Sequence, residues 1–224
     1  MVTDDPGTPG DGHWEINLGA IGSRTQGRHE LAAPDADINY GWGEHIQLKA
    51  DIPWVIARDS GQAAVSGLGA GNFGVKWRFI DEDDFGFSLS TYPQYTRSLL
   101  ASSNRRGVTS PGHEFLLPLE ISADVGSGFS VAAEIGRNFV NSGDAPNQWI
   151  AGFVLAHDCG PSVECLGEVH QSQSPDAHQT LVNIGLRWKL REALTLLAAG
   201  GREFGTSSIE QQHSLIYLGL QITR

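Results

Sequence analysis

Many charged residues of this chain sit at every second position of otherwise apolar runs. Lys49 and Asp51 alternate with Leu48, Ala50 and Ile52, and Lys76 and Arg78 with Val75, Trp77 and Phe79. Glu114, Glu120 and Asp124 fall between Phe115, Leu119, Ile121 and Val125, and Arg187 and Lys189 between Leu186, Trp188 and Leu190. An extended strand sends successive side chains to opposite faces, so these charges share one face and the apolar residues the other. Glu15, Asp35, Asp37, Glu134 and Glu168 join the same set. Charges collected in a narrow space are tolerated when paired and hydrated, so acid–base ladders across an enclosed interior are expected. Such an interior serves either as a charge-selective polar pathway or as a salt-bridged plug, and both readings stand.

Other chemistries find less support. A hydrolase needs a nucleophile, a histidine in reach and an orienting group. His170 with Ser172, or His213 with Ser214, could form a dyad, but spacing selects neither, and no Gly-x-Ser-x-Gly elbow occurs. Gly67-Leu68-Gly69-Ala70-Gly71 lacks the Lys-Ser/Thr and the helix of a phosphate loop. The chain is therefore read as a non-enzyme without a cofactor. Cys159 and Cys165 flank Gly160-Pro161-Ser162-Val163-Glu164, a turn-forming stretch that lets the thiols meet. A disulfide, and with it an oxidising compartment, is the main reading. A zinc site recruiting His157 or His170 and a pair of free thiols are the alternatives, and no metal is assigned. The formal net charge of −11 argues against a nucleic-acid partner.

The elements that would position the charges are strands. Alternation at period two predicts about twelve: 13–22, 31–42, 45–56, 70–80, 85–97, 113–125, 128–139, 148–158, 164–171, 179–190, 194–203 and 213–223. In 194–203 either face could be the apolar one. Connections at 43–44, 81–84, 126–128, 159–165 and 191–193 are short. They alternate with longer polar ones at 23–30, 57–69, 98–112, 140–147, 172–178 and 204–212. An up-and-down outer-membrane barrel with periplasmic turns and longer external loops has this arrangement, with both termini periplasmic. No apolar run of about eighteen residues offers a spanning helix. All six tryptophans, Trp14, Trp42, Trp54, Trp77, Trp149 and Trp188, fall toward strand ends, as an aromatic girdle at the two membrane interfaces requires. Gly74-Val75-Lys76-Trp77-Arg78-Phe79 is echoed by Gly185-Leu186-Arg187-Trp188-Lys189-Leu190, each with apolar residues on one face and paired cations on the other. Residues 1–12 carry neither the basic nor the apolar region of a signal peptide and read as a disordered or periplasmic tail, with 13–224 as the barrel. The rival fold is a soluble barrel with its apolar face inward.

Several motifs in order carry a family resemblance: Asp37-Ile38-Asn39-Tyr40-Gly41, Leu48-Lys49-Ala50-Asp51-Ile52-Pro53-Trp54, Gly67-Leu68-Gly69, Gly74-Val75-Lys76-Trp77-Arg78-Phe79, Tyr92-Pro93-Gln94 and the closing Leu218-Gly219-Leu220-Gln221. Over residues 13–224 the chain resembles the outer-membrane transporter-like family labelled "meta-pathway of phenol degradation". One departure is the ending Ile222-Thr223-Arg224, where many outer-membrane barrels end in an aromatic residue. The resemblance implies a monomeric barrel of the Gram-negative outer membrane that moves small molecules. Its surroundings would be lipid and lipopolysaccharide. Glu15, Lys49, Asp51, Lys76, Arg78, Glu114, Glu120, Glu134, Glu168, Arg187 and Lys189 are the candidate lumen residues. The expected function is a passive, porin-like channel. The alternatives are a closed structural barrel whose loops bind a ligand or partner and, last, a barrel-embedded hydrolase.

Overall fold

The computed structural model, which describes residues 1–143, 145–205 and 213–224, is a closed antiparallel barrel of 12 strands. In chain order they are β1 (Trp14–Thr25), β2 (Arg28–Trp42), β3 (Ile46–Asp59), β4 (Val65–Leu68, continuing as Ala70–Ile80), β5 (Ser88–Thr91, continuing as Gln94–Ser98) and β6 (His113–Gly126). They continue as β7 (Phe129–Asn141), β8 (Gln148–Gly160), β9 (Val163–Gln173), β10 (His178–Arg191), β11 (Leu194–Gly205) and β12 (Ser214–Thr223). Each strand pairs with its sequence neighbours, and β12 returns to β1 from Glu15↔Thr223 to Arg24↔Ser214, so the barrel closes, with the Val65–Leu68 part of β4 pairing to β3. β4 is interrupted at Gly69, whose N–H donates to Pro53 O at 2.9 Å. β5 is interrupted at Tyr92-Pro93, where the Pro93 carbonyl accepts from Val75 N–H at 3.0 Å. A proline has no N–H for the ladder, which explains the second break.

Burial is inverted relative to a water-soluble core. In the middle of β7, Ile135 is 56% exposed while its neighbour Glu134 is 7% exposed. All six tryptophans project from the outer surface, as do Leu48, Phe73, Val75, Phe79, Leu117, Leu119 and Ile184. Lys76, Glu120, Glu168, Asn183 and Ser90 are buried inside the barrel. The soluble-barrel rival, which needs the opposite arrangement, is excluded. At mid-strand in β10, Ile184 is 72% exposed, so Ile184→Arg would place a cation in hydrocarbon and should cost about 2–4 kcal/mol. Urea unfolding in lipid vesicles measures it, and a loss near zero would contradict the outward placement.

Several boundaries differ from the sequence reading, mostly because the ladder runs past the apolar core. The connection expected at 23–30 is reduced to Gln26-Gly27, since Thr25 pairs with Arg28. The 159–165 connection shrinks to Pro161-Ser162, with Gly160 paired to Val163. Polar strand ends need no burial to pair, so hydropathy alone under-reads them. The turn after β4 instead carries one helical turn, α1 (Glu82–Phe85), and β5 starts at Ser88 rather than at 85. A second short helix, α2 (Ala101–Arg105), lies in the connection after β5. In β11 the ambiguous face is settled by register: Leu194, Leu196 and Ala198 oppose the outward Ile222, Leu220 and Leu218, while Thr195, Leu197 and Ala199 oppose Gln221, Gly219 and Tyr217. Most of the 204–212 connection, and Asp144 in 140–147, lie outside the described residues.

β2 contains a bulge that matters for the site. Ala32 pairs with Val55 and Asp35 with Pro53, so Ala33 and Pro34 together stand against one residue of β3. An odd insertion reverses the alternation. Leu31 faces outward before the bulge and Ile38 after it, and Asp35, Asp37 and Asn39 are thereby turned inward.

Candidate functional site

The inward faces of the described residues enclose a lumen in which three adjoining spaces share lining residues. A central cavity of about 880 Å³ is lined by residues of almost every strand. Toward the external end it meets a vestibule of about 450 Å³, and Ile21, Asp35, Asp51 and Leu215 line both. A smaller space of about 190 Å³ lies at the periplasmic end, sharing Met1, Thr3, Asp5, Leu166 and Arg187 with the central cavity.

The N-terminal segment separates the lower two spaces. Residues 1–12 are not a disordered or periplasmic tail: the chain leaves β1 at the periplasmic mouth, turns back and crosses the bore. Gly12 N–H donates to Gly41 O at 3.0 Å, and Thr8 Oγ1 donates to Glu44 O at 2.8 Å. Farther in, Asp4 Oδ1 accepts from Lys76 Nζ at 2.8 Å, and Asp5 O accepts from the same ammonium. The backbone N–H groups of Val2 and Thr3 both donate to Glu168 Oε1, and Met1 packs against Val154, Ala156 and Leu166 of the far wall. The buried charges of the wall thus find partners in the segment, which offers carboxylate and carbonyl to Lys76 and amides to Glu168. Two wall glycines make the close approach possible. A Cβ at Gly152 would lie 2.2 Å from Thr3 Oγ1, and one at Gly41 would lie 1.8 Å from Gly10 O.

Lys76 is the centre of the polar network. It is 2% exposed, its Nζ lies 3.6 Å from Glu120 Oε2, and it sits 4.6 Å from the ring centroid of Tyr92. Glu120, at 0% exposure, accepts from Ser90 Oγ at 2.6 Å. The network continues with Glu134, 3.3 Å from His170 Nε2, and with Glu168, which accepts from Asn183 Nδ2 at 2.7 Å. Lys49 stands 3.8 Å from Asp37, and Glu114 accepts from Asn138 Nδ2 at 2.7 Å. Glu15 accepts from Asn17 at 3.2 Å, and Asp51 lines the neck between vestibule and central cavity.

Two of the expected lumen cations, Arg78 and Lys189, are placed at the periplasmic rim instead, while Arg187 lines both the central cavity and the periplasmic space. Arg78 pairs with Asp81 at 2.8 Å and donates to Glu44 O, fastening two turns together. Arg187 reaches Glu164 at 3.1 Å, and Lys189 is exposed near the end of β10. At Lys189 the strand has outrun the enclosed part of the bore, so inward alternation there leads to water. The structure joins Cys159 and Cys165 in a disulfide across the ends of β8 and β9.

The external end is narrowed by the connection after β5. Val108 packs with Val55 and Ala57 against the inner wall, and Ser103 is fully buried beneath. Arg28 Nη2 holds the loop by donating to Gly107 O at 3.0 Å. Sequence reasoning treated this loop as solvated and the lumen face as charged throughout. The inward residues Pro53, Val55 and Ala57 of β3 were the available signal, since they continue the phase of Lys49 and Asp51. Ser90, Asn183 and Tyr92 were missed as lumen residues, because uncharged polar groups and a tyrosine do not stand out in an alternating strand.

No family model matches the chain, and no curated protein matches its sequence. Solved structures do resemble it. The COG4313 outer membrane channel from Pseudomonas putida F1 superposes with a TM-score of 0.74 at 10% identity, over 100% of both chains. A KdgM porin in complex with disordered oligogalacturonate gives 0.62 at 12% identity, over 93% of this chain and 98% of that one. The CymD monoaromatic hydrocarbon channel gives 0.51 at 12% identity, over 96% and 88%. The chain has the fold of the twelve-stranded outer-membrane barrel channels.

Proposed function

We propose that the chain is a passive channel for small molecules in the bacterial outer membrane. It would act as a monomer within a belt of lipid and lipopolysaccharide, as a relative of the phenol meta-pathway transporter-like group. The observation that carries this reading is the lumen: the central cavity of about 880 Å³ adjoins the vestibule through shared walls, inside a barrel whose outer face is apolar. Twelve strands fall between a side-chain-filled bore and a wide aqueous pore, which suits passage of a small solute. Carboxylates outnumber the cations Lys49, Lys76 and Arg187 in the central lining. Low-dielectric walls focus such a field, so cations should be favoured over anions. In this the chain differs in expected cargo from a porin that takes an oligogalacturonate, a polyanion.

Planar bilayers test the reading. Discrete single-channel currents are expected, and in a salt gradient the reversal potential should show cation preference. Absence of any conductance above bare lipid, with the N-terminal segment both present and removed, would leave a closed barrel with binding loops. That second reading draws on the segment that crosses the bore and on its anchoring to Lys76 and Glu168.

A further inference from the structure

The neck between vestibule and central cavity has an unusual chemistry: acceptors crowd it, and the Asn17 amide that donates there is spent on Glu15 and on Asp37 Oδ2, at 3.2 and 3.3 Å. Asp35 is 8% exposed, lines both spaces and comes within hydrogen-bonding reach of the Asp51 carboxyl group. Two buried carboxylates this close repel each other, and a cation between them would offset their charge. The register places Asn17, Asp37 and Asp51 in one row across β1, β2 and β3, with Asp35 beside it. Among the described residues Asn17 Oδ1 and Asp51 Oδ1 are buried without a hydrogen-bond donor. Asp37 Oδ1 has the Lys49 ammonium, at the long distance of 3.8 Å. Among the described residues Lys49 is the cation paired with this row, where it is engaged with Asp37, and Arg97 lines the vestibule beside it.

We propose that this neck is a binding site for a primary alkylammonium group. The assignment rests on reading the lumen as the route of a solute, and it names that solute's class. A primary ammonium brings one positive charge and three N–H donors, the two things of which the row has fewer than its carboxylates call for. A divalent metal fits less well, since the described residues hold no cluster of three His, Cys, Asp or Glu side chains arranged around a common point. The vestibule supplies a place for the hydrocarbon part, because Ile21, Pro53, Val55 and Leu215 line it beside the carboxylates. Apolar burial on one side and charge-assisted hydrogen bonds on the other favour an amine with a short carbon chain over an inorganic cation.

Calorimetry on the purified barrel in detergent tests the site without requiring conduction. The probes are butylammonium, butyrate with the same chain length, and tetramethylammonium, which has the charge and no N–H. Butylammonium should bind. Its affinity should fall roughly tenfold or more in Asp35→Asn combined with Asp51→Asn, as expected when charge-assisted bonds are lost. Tetramethylammonium should bind at least about tenfold more weakly, and butyrate should give no signal. Heat-dependent gel mobility of the variant confirms that the barrel is intact, and single Asp35→Asn serves if the double variant does not fold. Equal binding of butyrate or tetramethylammonium, unchanged affinity in the variants, or no binding of butylammonium overturns the site. Butylammonium binding without ionic current would refute the channel reading alone, and current without butylammonium binding would refute this site alone.

Discussion

Replacing Lys76 by methionine should destabilise the barrel by about 3–5 kcal/mol, the cost expected when one partner of a buried ion pair is removed. Lys76 holds Asp4 at 2.8 Å and lies 3.6 Å from Glu120, and Glu120 has no exposed surface. The methionine has similar bulk and length, so packing is conserved and the loss is electrostatic. Two carboxylates would then remain in an enclosed space without their cation. The reasoning has an internal check, because the penalty comes from the orphaned charges rather than from an intrinsic strength of the pair. Adding Glu120→Gln and Asp4→Asn to Lys76→Met should therefore recover most of the lost stability. Urea unfolding in vesicles, followed by tryptophan fluorescence, measures the wild type, the single variant and the triple variant. A cost for Lys76→Met below about 1 kcal/mol would show that water reaches this network freely, as it does at exposed pairs.

Displacing the N-terminal segment should produce the largest change in conductance. Gly152→Val and Gly41→Val each place side-chain atoms where the segment now lies: the first Cβ would sit 2.2 Å from Thr3 Oγ1 and the second 1.8 Å from Gly10 O. Neither position faces lipid, so the barrel exterior is unchanged. Because the segment spans the bore, single-channel current should rise roughly twofold or more in either variant, in proportion to the opened cross-section. Deleting residues 2–11 should give the same increase. The deletion also removes the amides held by Glu168 and the carboxylate held by Lys76, so it should lower stability as well. Current unchanged in all three would mean that solute does not pass the region the segment occupies. The two glycines are thus docking surfaces, where the absence of a side chain lets the Gly10 backbone lie on Gly41 and the Thr3 side chain on Gly152.

The sequence by itself determined the architecture. Apolar and polar residues alternating around Val75-Lys76-Trp77-Arg78 or Leu117 to Val125 allow only a two-faced strand, and twelve such segments with polar connections define a closed up-and-down barrel. It favoured the apolar stripe as the lipid face, and outward Ile135 beside buried Glu134 in the tertiary structure then excluded the soluble rival. Tryptophans at strand ends and charges in the opposite phase leave a membrane barrel as the consistent solution, since a spanning sheet cannot keep an open edge and a greasy exterior cannot face water. Only the tertiary structure decided what fills the lumen. The turn-rich, acidic residues 1–12 have no periodicity, and nothing local says that Asp4 will meet Lys76 or that Thr3 will rest on Gly152. Those contacts join positions about seventy to one hundred and fifty apart in the chain and depend on the diameter at which the barrel closes. The neck at Asp35 and Asp51 has the same origin: a bulge reverses the phase of β2, and three-strand register then lines up Asn17, Asp37 and Asp51. Alternation is a property of neighbours in sequence, whereas pairing across the bore is a property of closure, and closure is set by the ladder as a whole.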